Sequence, residues 1–268
     1  GDKVLIEPGV PDDTCEYCRT GRYNICPGVD FMATQPNYKG ALTQYMTHPE
    51  EWTYHIPEGM TTMEGALVEP AAVGMHAAVL GGAQPGKSIV ILGGGTIGLM
   101  VLQACISLGA TDITVVDVIE KRLELAKKLG AARVINGKEE DTVAVLRSEE
   151  MYGDHGVDLV FEAAGAVFTA QQAVQIVSRG GKIMMVGTQS KPVPIDFLKI
   201  NREVTIQTSF RYCNNFPQTI EAISSGRFNV KDMVTNIYDY EDVQKAFEEA
   251  IDPVKKTEMV KGVIKVAE

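Results

Sequence analysis

Cys15, Cys18 and Cys26 lie close together in the stretch DDTCEYCRTGRYNIC. Thiolates at this spacing suit a closed metal site, and a structural zinc ion takes four ligands in a tetrahedron. Moving back from Cys15 by the interval that separates the first two cysteines reaches Asp12. The set then reads D-x2-C-x2-C-x7-C, with a carboxylate oxygen as the fourth donor. Asp12, Cys15, Cys18 and Cys26 are therefore the candidate metal ligands. The competing reading is a lobe whose cysteines hold no metal.

A second constellation is Gly93, Gly95 and Gly98, spaced G-x-G-x-x-G after the apolar run SIVIL. In that context the first glycine permits a tight turn. The second lets the backbone approach a pyrophosphate, and the third lets the helix pack closely on the sheet. The amides at the head of that helix, at Gly95, Thr96, Ile97 and Gly98, point a positive dipole end at the phosphates. Asp117 closes the next strand, where a carboxylate accepts from ribose hydroxyls and repels a 2′-phosphate, which favours NAD over NADP. Arg122 pulls the other way, because an arginine there accepts such a phosphate. A glycine turn without a ligand is the plainer alternative.

These residues need a scaffold, and the punctuation supplies one. SIVIL, ITVVD (113–117), RVI, VDLVFEAAG (157–165), KIMMVG (182–187) and VTIQTS (204–209) read as strands. Helical patterns stand between them, notably EKRLELAKKLGA with Gly130 as its stop. Strand and helix alternating at this spacing predict right-handed βαβ units, a doubly wound parallel sheet of the Rossmann kind, over 71–211. Residues 1–70 read as short strands broken by Pro and Gly. Residues 212–268 read as a return to that first domain, with a helix at YEDVQKAFEEAI and a last strand in MVKGVIKVAE.

The totals exclude several classes. The chain has 268 residues, 45% hydrophobic and 22% charged, with a net charge of −10, so a phosphate backbone is not its partner. Ile89 to Ala110 carries no charge, but its glycines break it into a strand, a turn and a helix rather than a membrane span. Five cysteines and no secretory leader pattern point to reduced thiols in a cytoplasm, and Cys105 reads as core. The chain opens on GDKVLIEPG, already strand-like and without an initiating Met, as if joined partway through a domain.

The metal pattern resembles the structural-zinc lobe of the zinc-dependent medium-chain alcohol and polyol dehydrogenases, with Asp12 where that family usually has Cys. LVEPAAVGMHA (68–78) resembles the segment that leads into the family's nucleotide domain. FMATQPNYKGALTQY (31–45) and FRYCNNFPQTIEAISSGRFNVKDMVT (210–235) are similar to the sorbitol dehydrogenase subgroup. The resemblance implies that residues 1–70 are part of a GroES-like, mostly-β catalytic domain. It implies an NAD-dependent, zinc-dependent oxidation of a secondary alcohol of a polyol to a ketone, by hydride transfer to the nicotinamide. Glu69 would hold a water or the substrate, Arg211 and Tyr212 would contact substrate hydroxyls, and Phe31 and Thr34 would line the pocket. Gly187 and Thr188 would end a strand near the nicotinamide.

Taken singly, Glu69 could be a helix N-terminal carboxylate, Arg211 a surface charge and Phe31 a core residue. Relatives bind a catalytic zinc through a Cys and an adjacent His-Glu pair upstream of the strand matching GDKV. None of His48, His55, His76 and His155 stands at a matching position, and His76 reads as packed against the sheet. This chain alone is thus expected to be a truncated, inactive form that still binds NAD, and to expose apolar surface that invites association. Relatives are commonly homodimers or homotetramers. The alternatives are a threonine- or butanediol-type dehydrogenase, or a nucleotide-binding protein without chemistry.

Overall fold

The computed structural model describes residues 1–34 and 39–266. Residues 35–38 of the 31–45 stretch, and the last two residues of the tail strand segment, lie outside the described residues.

Four short strands open the chain: β1 (Val4–Ile6), β2 (Gly9–Val10), β3 (Asp30–Phe31) and β4 (Thr53–His55). β1 pairs antiparallel with β4, and β2 with β3. Helix α1 (Glu16–Arg19) sits between β2 and β3 in the cysteine segment. Helix α2 (Thr62–Ala66) starts at a capping box, with the Thr61 hydroxyl accepting from the Glu64 amide and the Glu64 carboxylate accepting from the Thr61 amide. Helix α3 (Val68–Gly81) follows and stops at Gly82, whose φ of 77° suits a left-handed cap.

The sheet is built from β5 (Ser88–Leu92), β6 (Asp112–Asp117), β7 (Arg133–Asn136), β8 (Val157–Glu162), β9 (Val177–Met185) and β10 (Thr205–Thr208). All its pairings are parallel, in the order β10-β9-β8-β5-β6-β7. Helices α4 (Thr96–Ser107), α5 (Glu120–Lys128), α6 (Thr142–Leu146) and α7 (Val167–Ile176) make the crossovers. The chain winds outward from β5 toward β7, then returns to β8 on β5's other side. The carboxyl ends of β5 and β8 therefore flank the crevice where an open sheet of this kind receives ligands.

Alternation along the strands fills both faces. Ile89 and Ile91 of β5 face one core with Ile113, Val115, Leu159 and Phe161, while Val90 and Leu92 face the other with Val116, Val160 and Ile183. The first core also takes in α3, α4 and α8 (Phe216–Ser224), including Leu67, Met75, Leu102 and Phe216. Helices α3 and α4 pack backbone against backbone. A Cβ on Gly74 would lie 2.5 Å from the Met100 carbonyl carbon, so only glycine fits there. The uncharged run from Ile89 to Ala110 is β5, the turn and buried α4. Among the described residues no helix is long and apolar enough to cross a membrane.

The chain closes with β11 (Val234–Asp239), α9 (Val243–Ile251), α10 (Lys255–Glu258) and β12 (Lys261–Lys265), with β11 and β12 parallel. Two boundaries of the sheet strands differ from the sequence expectation by three residues or more. β8 stops at Glu162 because its carboxylate accepts from the amides of Ala164 and Gly165 and turns the chain. β9 begins at Val177 rather than Lys182, running through Gly180 at φ 70°.

Candidate functional site

The metal lobe comes together as its spacing suggests. One donor atom each from Asp12, Cys15, Cys18 and Cys26 lies within 4.8 Å of the others. The Cys15 and Cys18 sulfurs are 3.4 Å apart, and the Cys18 sulfur is 3.5 Å from Asp12 Oδ1. Tetrahedral zinc, with Zn–S near 2.3 Å, needs donors about 3.5–4 Å apart, so the four residues fit the ion. The amides of Cys15 and Thr14 donate to Asp12 Oδ1 and hold its carboxyl well below the usual carboxylate range. A Cβ at Gly28 would lie 2.7 Å from the other Asp12 oxygen, so the fold leaves room for this carboxylate only beside a glycine. Partial burial, then the neighbouring Cys15, pushes the Cys18 thiol up to about 12, so metal binding there would release a proton.

The phosphate loop is built from close contacts. A Cβ on Gly93 (φ 109°) would lie 2.8 Å from the Ala164 amide nitrogen, and one on Gly98 would lie 1.8 Å from the Gly93 carbonyl oxygen. At Gly95 the space is open, with only an Arg122 guanidinium nitrogen near, at 3.9 Å. The first amides of α4, from Thr96 and Ile97, have no intrahelical acceptor. Asp117 is 9% exposed. Its Oδ1 accepts from the Val118 and Ile119 amides and its Oδ2 from Gly94, while Arg122 lies 3.8 Å away. Three of the carboxylate's four or so acceptor positions are used, and one remains on Oδ2. The Arg122 Nε is buried without a partner, an unmet donor beside the loop. These features fit a dinucleotide diphosphate.

A cavity of about 590 Å³ opens beside this loop, lined by Thr96, Ile119, Arg122, Met259 and Lys261 among others. Gly187 and Thr188 follow β9 at the same end of the sheet, packed against Gly165. Glu162, fully buried, holds that corner by accepting from Thr169 and Gln189 as well as from the two amides after β8.

The third group is the face formed by Glu69, Arg211, Tyr212 and Phe31. Glu69 stands in the first turn of α3. Burial raises its pKa, against the opposing pull of Tyr212, Lys261 and Arg211. The Tyr212 hydroxyl is buried with no partner at hydrogen-bonding geometry, although Glu69 is close enough to add to the rise in its pKa that burial causes. The Arg211 guanidinium lies 3.8 Å from the Phe31 ring centre and 4.8 Å from that of Phe210. The Thr34 hydroxyl donates to the Phe31 carbonyl. Arg211 (φ 52°) and Asn214 (φ 57°) both adopt left-handed backbone, so the loop that carries these side chains is held in an uncommon shape.

Sequence reasoning missed several neighbours. Glu7, fully buried, accepts from Tyr23 at 2.7 Å and Tyr54 at 3.0 Å. A charged residue inside the apolar run VLIEPG was the available signal. Lys261 reaches the cavity and Glu69 by tertiary folding alone. His76 is buried in α3, with Nδ1 3.1 Å from Asn215 Oδ1, so its polar contact is at the head of α8 rather than on the sheet.

A six-stranded dinucleotide sheet joined to short strands with a four-donor metal lobe is the build of a zinc-type dehydrogenase. Residues 96–225 match the family of zinc-binding dehydrogenases, and residues 1–58 match the alcohol dehydrogenase GroES-like domain. The chain belongs to the zinc-type alcohol dehydrogenase family, with sorbitol dehydrogenases among its relatives, and is on that ground an oxidoreductase. It is 64% identical over 268 residues to YdjJ, an uncharacterised zinc-type alcohol dehydrogenase-like protein of Escherichia coli (strain K12), covering all of this chain and 76% of that one. It is 41% identical over 254 residues to the sorbitol dehydrogenase of Bacillus subtilis (strain 168), covering 94% of this chain and 71% of the relative. Among solved structures it matches, with a TM-score of 0.97 and 63% identity, an Escherichia coli oxidoreductase/dehydrogenase of unknown specificity described as involved in membrane biogenesis. That match covers 100% of this chain and 76% of the other.

Proposed function

We propose that the chain provides the cofactor and substrate faces for NAD-dependent, zinc-dependent oxidation of a secondary alcohol of a polyol to a ketone, by hydride transfer. The observation that carries this reading is the convergence of Glu69, Arg211 and the unpartnered Tyr212 hydroxyl, with Lys261 linking that face to the phosphate-loop cavity. Residues 71–211 hold the dinucleotide in this reading, and residues 1–70 with 212–268 supply the substrate face.

Each side chain has a definable task. A polyol presents several hydroxyls that both donate and accept. Arg211, held flat by Phe31, donates to one oxygen. Tyr212 supplies the hydroxyl partner its own burial denies it, and Glu69 accepts from a substrate O–H or a water. Phe31, beside Arg211 and Tyr212, and Thr34 would wall the substrate side, and Lys261 and Arg122 line the cavity beside the phosphate loop. The Asp117 carboxylate favours a free ribose 2′-hydroxyl, hence NAD. A bound nicotinamide supplies the acceptor for the hydride leaving the carbinol carbon.

The four donors of the metal lobe fit a structural ion. Among the described residues they are the one cluster of three or more His, Cys, Asp or Glu donors. We accordingly expect the 268-residue chain by itself to bind NADH and to turn over no polyol. Fluorescence titration with NADH and NADPH, alongside an NADH-absorbance assay with sorbitol, xylitol, threonine and butanediol, tests both parts. Absent NADH binding, or tighter NADPH binding, would overturn the cofactor reading. Steady turnover would overturn the expectation of inactivity, and a preference for threonine or butanediol would overturn the polyol reading.

A further inference from the structure

The metal lobe touches the substrate face through a set of hydrogen bonds that its sequence position does not suggest. Asn24 Nδ2 donates to the Phe210 carbonyl at 2.8 Å. The Gly21 carbonyl accepts from Cys213 Sγ at 3.0 Å and from Asn214 Nδ2 at 2.8 Å. The Tyr23 hydroxyl accepts from the Asn214 amide at 2.8 Å and donates to buried Glu7 at 2.7 Å. The sole tryptophan, Trp52, packs edge-on against Tyr23, ring centres 4.9 Å apart. All four bonds to the loop end within residues 210–214, the segment that holds Arg211 and Asn214 in left-handed backbone and presents Arg211 and Tyr212.

The lobe has little core with which to keep its own shape. Neither α1 nor the 3-10 turn at Tyr23–Ile25 buries a side chain, and of the four candidate ligands only Cys26 is buried. Gly21, Tyr23 and Asn24 all lie on the span of chain between ligands Cys18 and Cys26. A span pinned at both ends by metal–ligand bonds is rigid; without the ion it keeps its hydrogen bonds to the loop and its own turns but has no buried side chain of its own in α1 or the 3-10 turn to hold it.

We infer that the metal lobe is a brace for the substrate loop: by fixing Gly21, Tyr23 and Asn24 it sets the shape of residues 210–214. Occupancy of the lobe is thereby coupled to the placement of Arg211 and Tyr212. Tyr23 and Asn24 are positioning residues, acting through the loop rather than on substrate. The coupling itself is a matter of loop geometry, and its value for catalysis rests on the polyol reading of Arg211 and Tyr212.

Hydrogen exchange on the 268-residue chain, zinc-loaded and chelator-stripped, tests the coupling. Stripping should speed exchange across 210–214 by at least about fivefold, the factor that one neutral hydrogen bond of ordinary net strength represents. Strands β5 and β8 should be unchanged, which shows that the domain has not unfolded, and Trp52 emission should shift with the loop. Asn24→Ala and Tyr23→Phe in zinc-loaded protein should reproduce the loss at 210–214 while zinc content stays at the wild-type level. Sorbitol should add protection at 210–214 in the loaded wild type and less in Asn24→Ala, a difference that loss of global stability does not produce. A loop equally protected with and without zinc, or a chain that takes up no zinc, would overturn the coupling. Exchange that responds to zinc in a chain that no polyol protects would leave the brace standing and sink the polyol reading instead.

Discussion

The two glycines of the phosphate loop make opposite demands, and substituting each to alanine separates them. At Gly98 a Cβ would sit 1.8 Å from the Gly93 carbonyl oxygen and 2.9 Å from its carbon. Both are backbone atoms, so relief requires α4 or the turn to move by more than about 1 Å, beyond the small adjustments of ordinary overpacking. Gly98→Ala should cost about 3 kcal/mol, the upper end of that range. It should also weaken NADH binding, because the helix head moves. Gly95 is different. Its φ of −73° suits alanine, and its Cβ would meet only an Arg122 nitrogen at 3.9 Å. Reduced freedom of the unfolded chain favours alanine by about 0.4–1 kcal/mol, and poorer capping offsets that by a similar amount. Net stability of Gly95→Ala should then stay within about 1 kcal/mol of wild type. Its methyl stands where the diphosphate must approach, and losing one charge-assisted hydrogen bond weakens binding by about 10- to 100-fold. Urea unfolding gives the stabilities, and NADH fluorescence titration gives the affinities. If Gly95→Ala binds NADH as wild type does, the phosphate is not cradled at this turn; if it unfolds as readily as Gly98→Ala, the packing account is wrong.

Tyr212→Phe removes a buried hydroxyl that has no partner, so its urea midpoint should hold or rise while sorbitol protection of 210–214 weakens; a loss above about 2 kcal/mol would reveal a structural hydrogen bond instead. Burial raises the pKa of Glu7, outweighing the lowering hydrogen bonds from Tyr23 and Tyr54. The folded state then holds that proton more tightly than the unfolded chain, and the advantage is lost as pH rises from the usual carboxylate range through the folded pKa. Unfolding midpoints of wild type relative to Glu7→Gln should accordingly fall with rising pH and then level off; a difference independent of pH would contradict the sign. Cys26→Ser removes the one buried ligand and should lower zinc affinity at least about tenfold, or 1.4 kcal/mol, measured by competition with a chromophoric chelator; an unchanged affinity would place the metal elsewhere.

What the sequence made legible was local. The phosphate loop is a spacing of glycines between a strand and a helix, and the four ligand candidates sit on one short stretch, so both were readable from neighbours in the chain. The parallel sheet was readable as well, because strands and helices alternate along the chain. The misses are non-local. Nothing near Lys261 marks it as lining the cavity beside the phosphate loop, since it meets Thr96 there only when β12 folds back beside α4. Asn24 and Phe210 are far apart in sequence, and their bond is invisible before the fold exists. The strand read at 182–187 starts earlier, at Val177, because β9 runs on through Gly180 at φ 70°, a conformation that apolar patterning does not mark.

A hydride passes only between atoms held to about 0.5 Å, which asks the scaffold for a fixed gauge between alcohol and nicotinamide. Helix α3 carries the acid at residue 69 on its leading turn, and α4 opens at the glycine turn proposed to cradle a diphosphate. Their crossing at Gly74 and Met100, main chain on main chain, leaves no soft side chain to absorb slack. In the proposed reading the interval between the two sites would thus be set by a missing methyl group little more than a helical turn from each, and a single added carbon there would shift one site against the other.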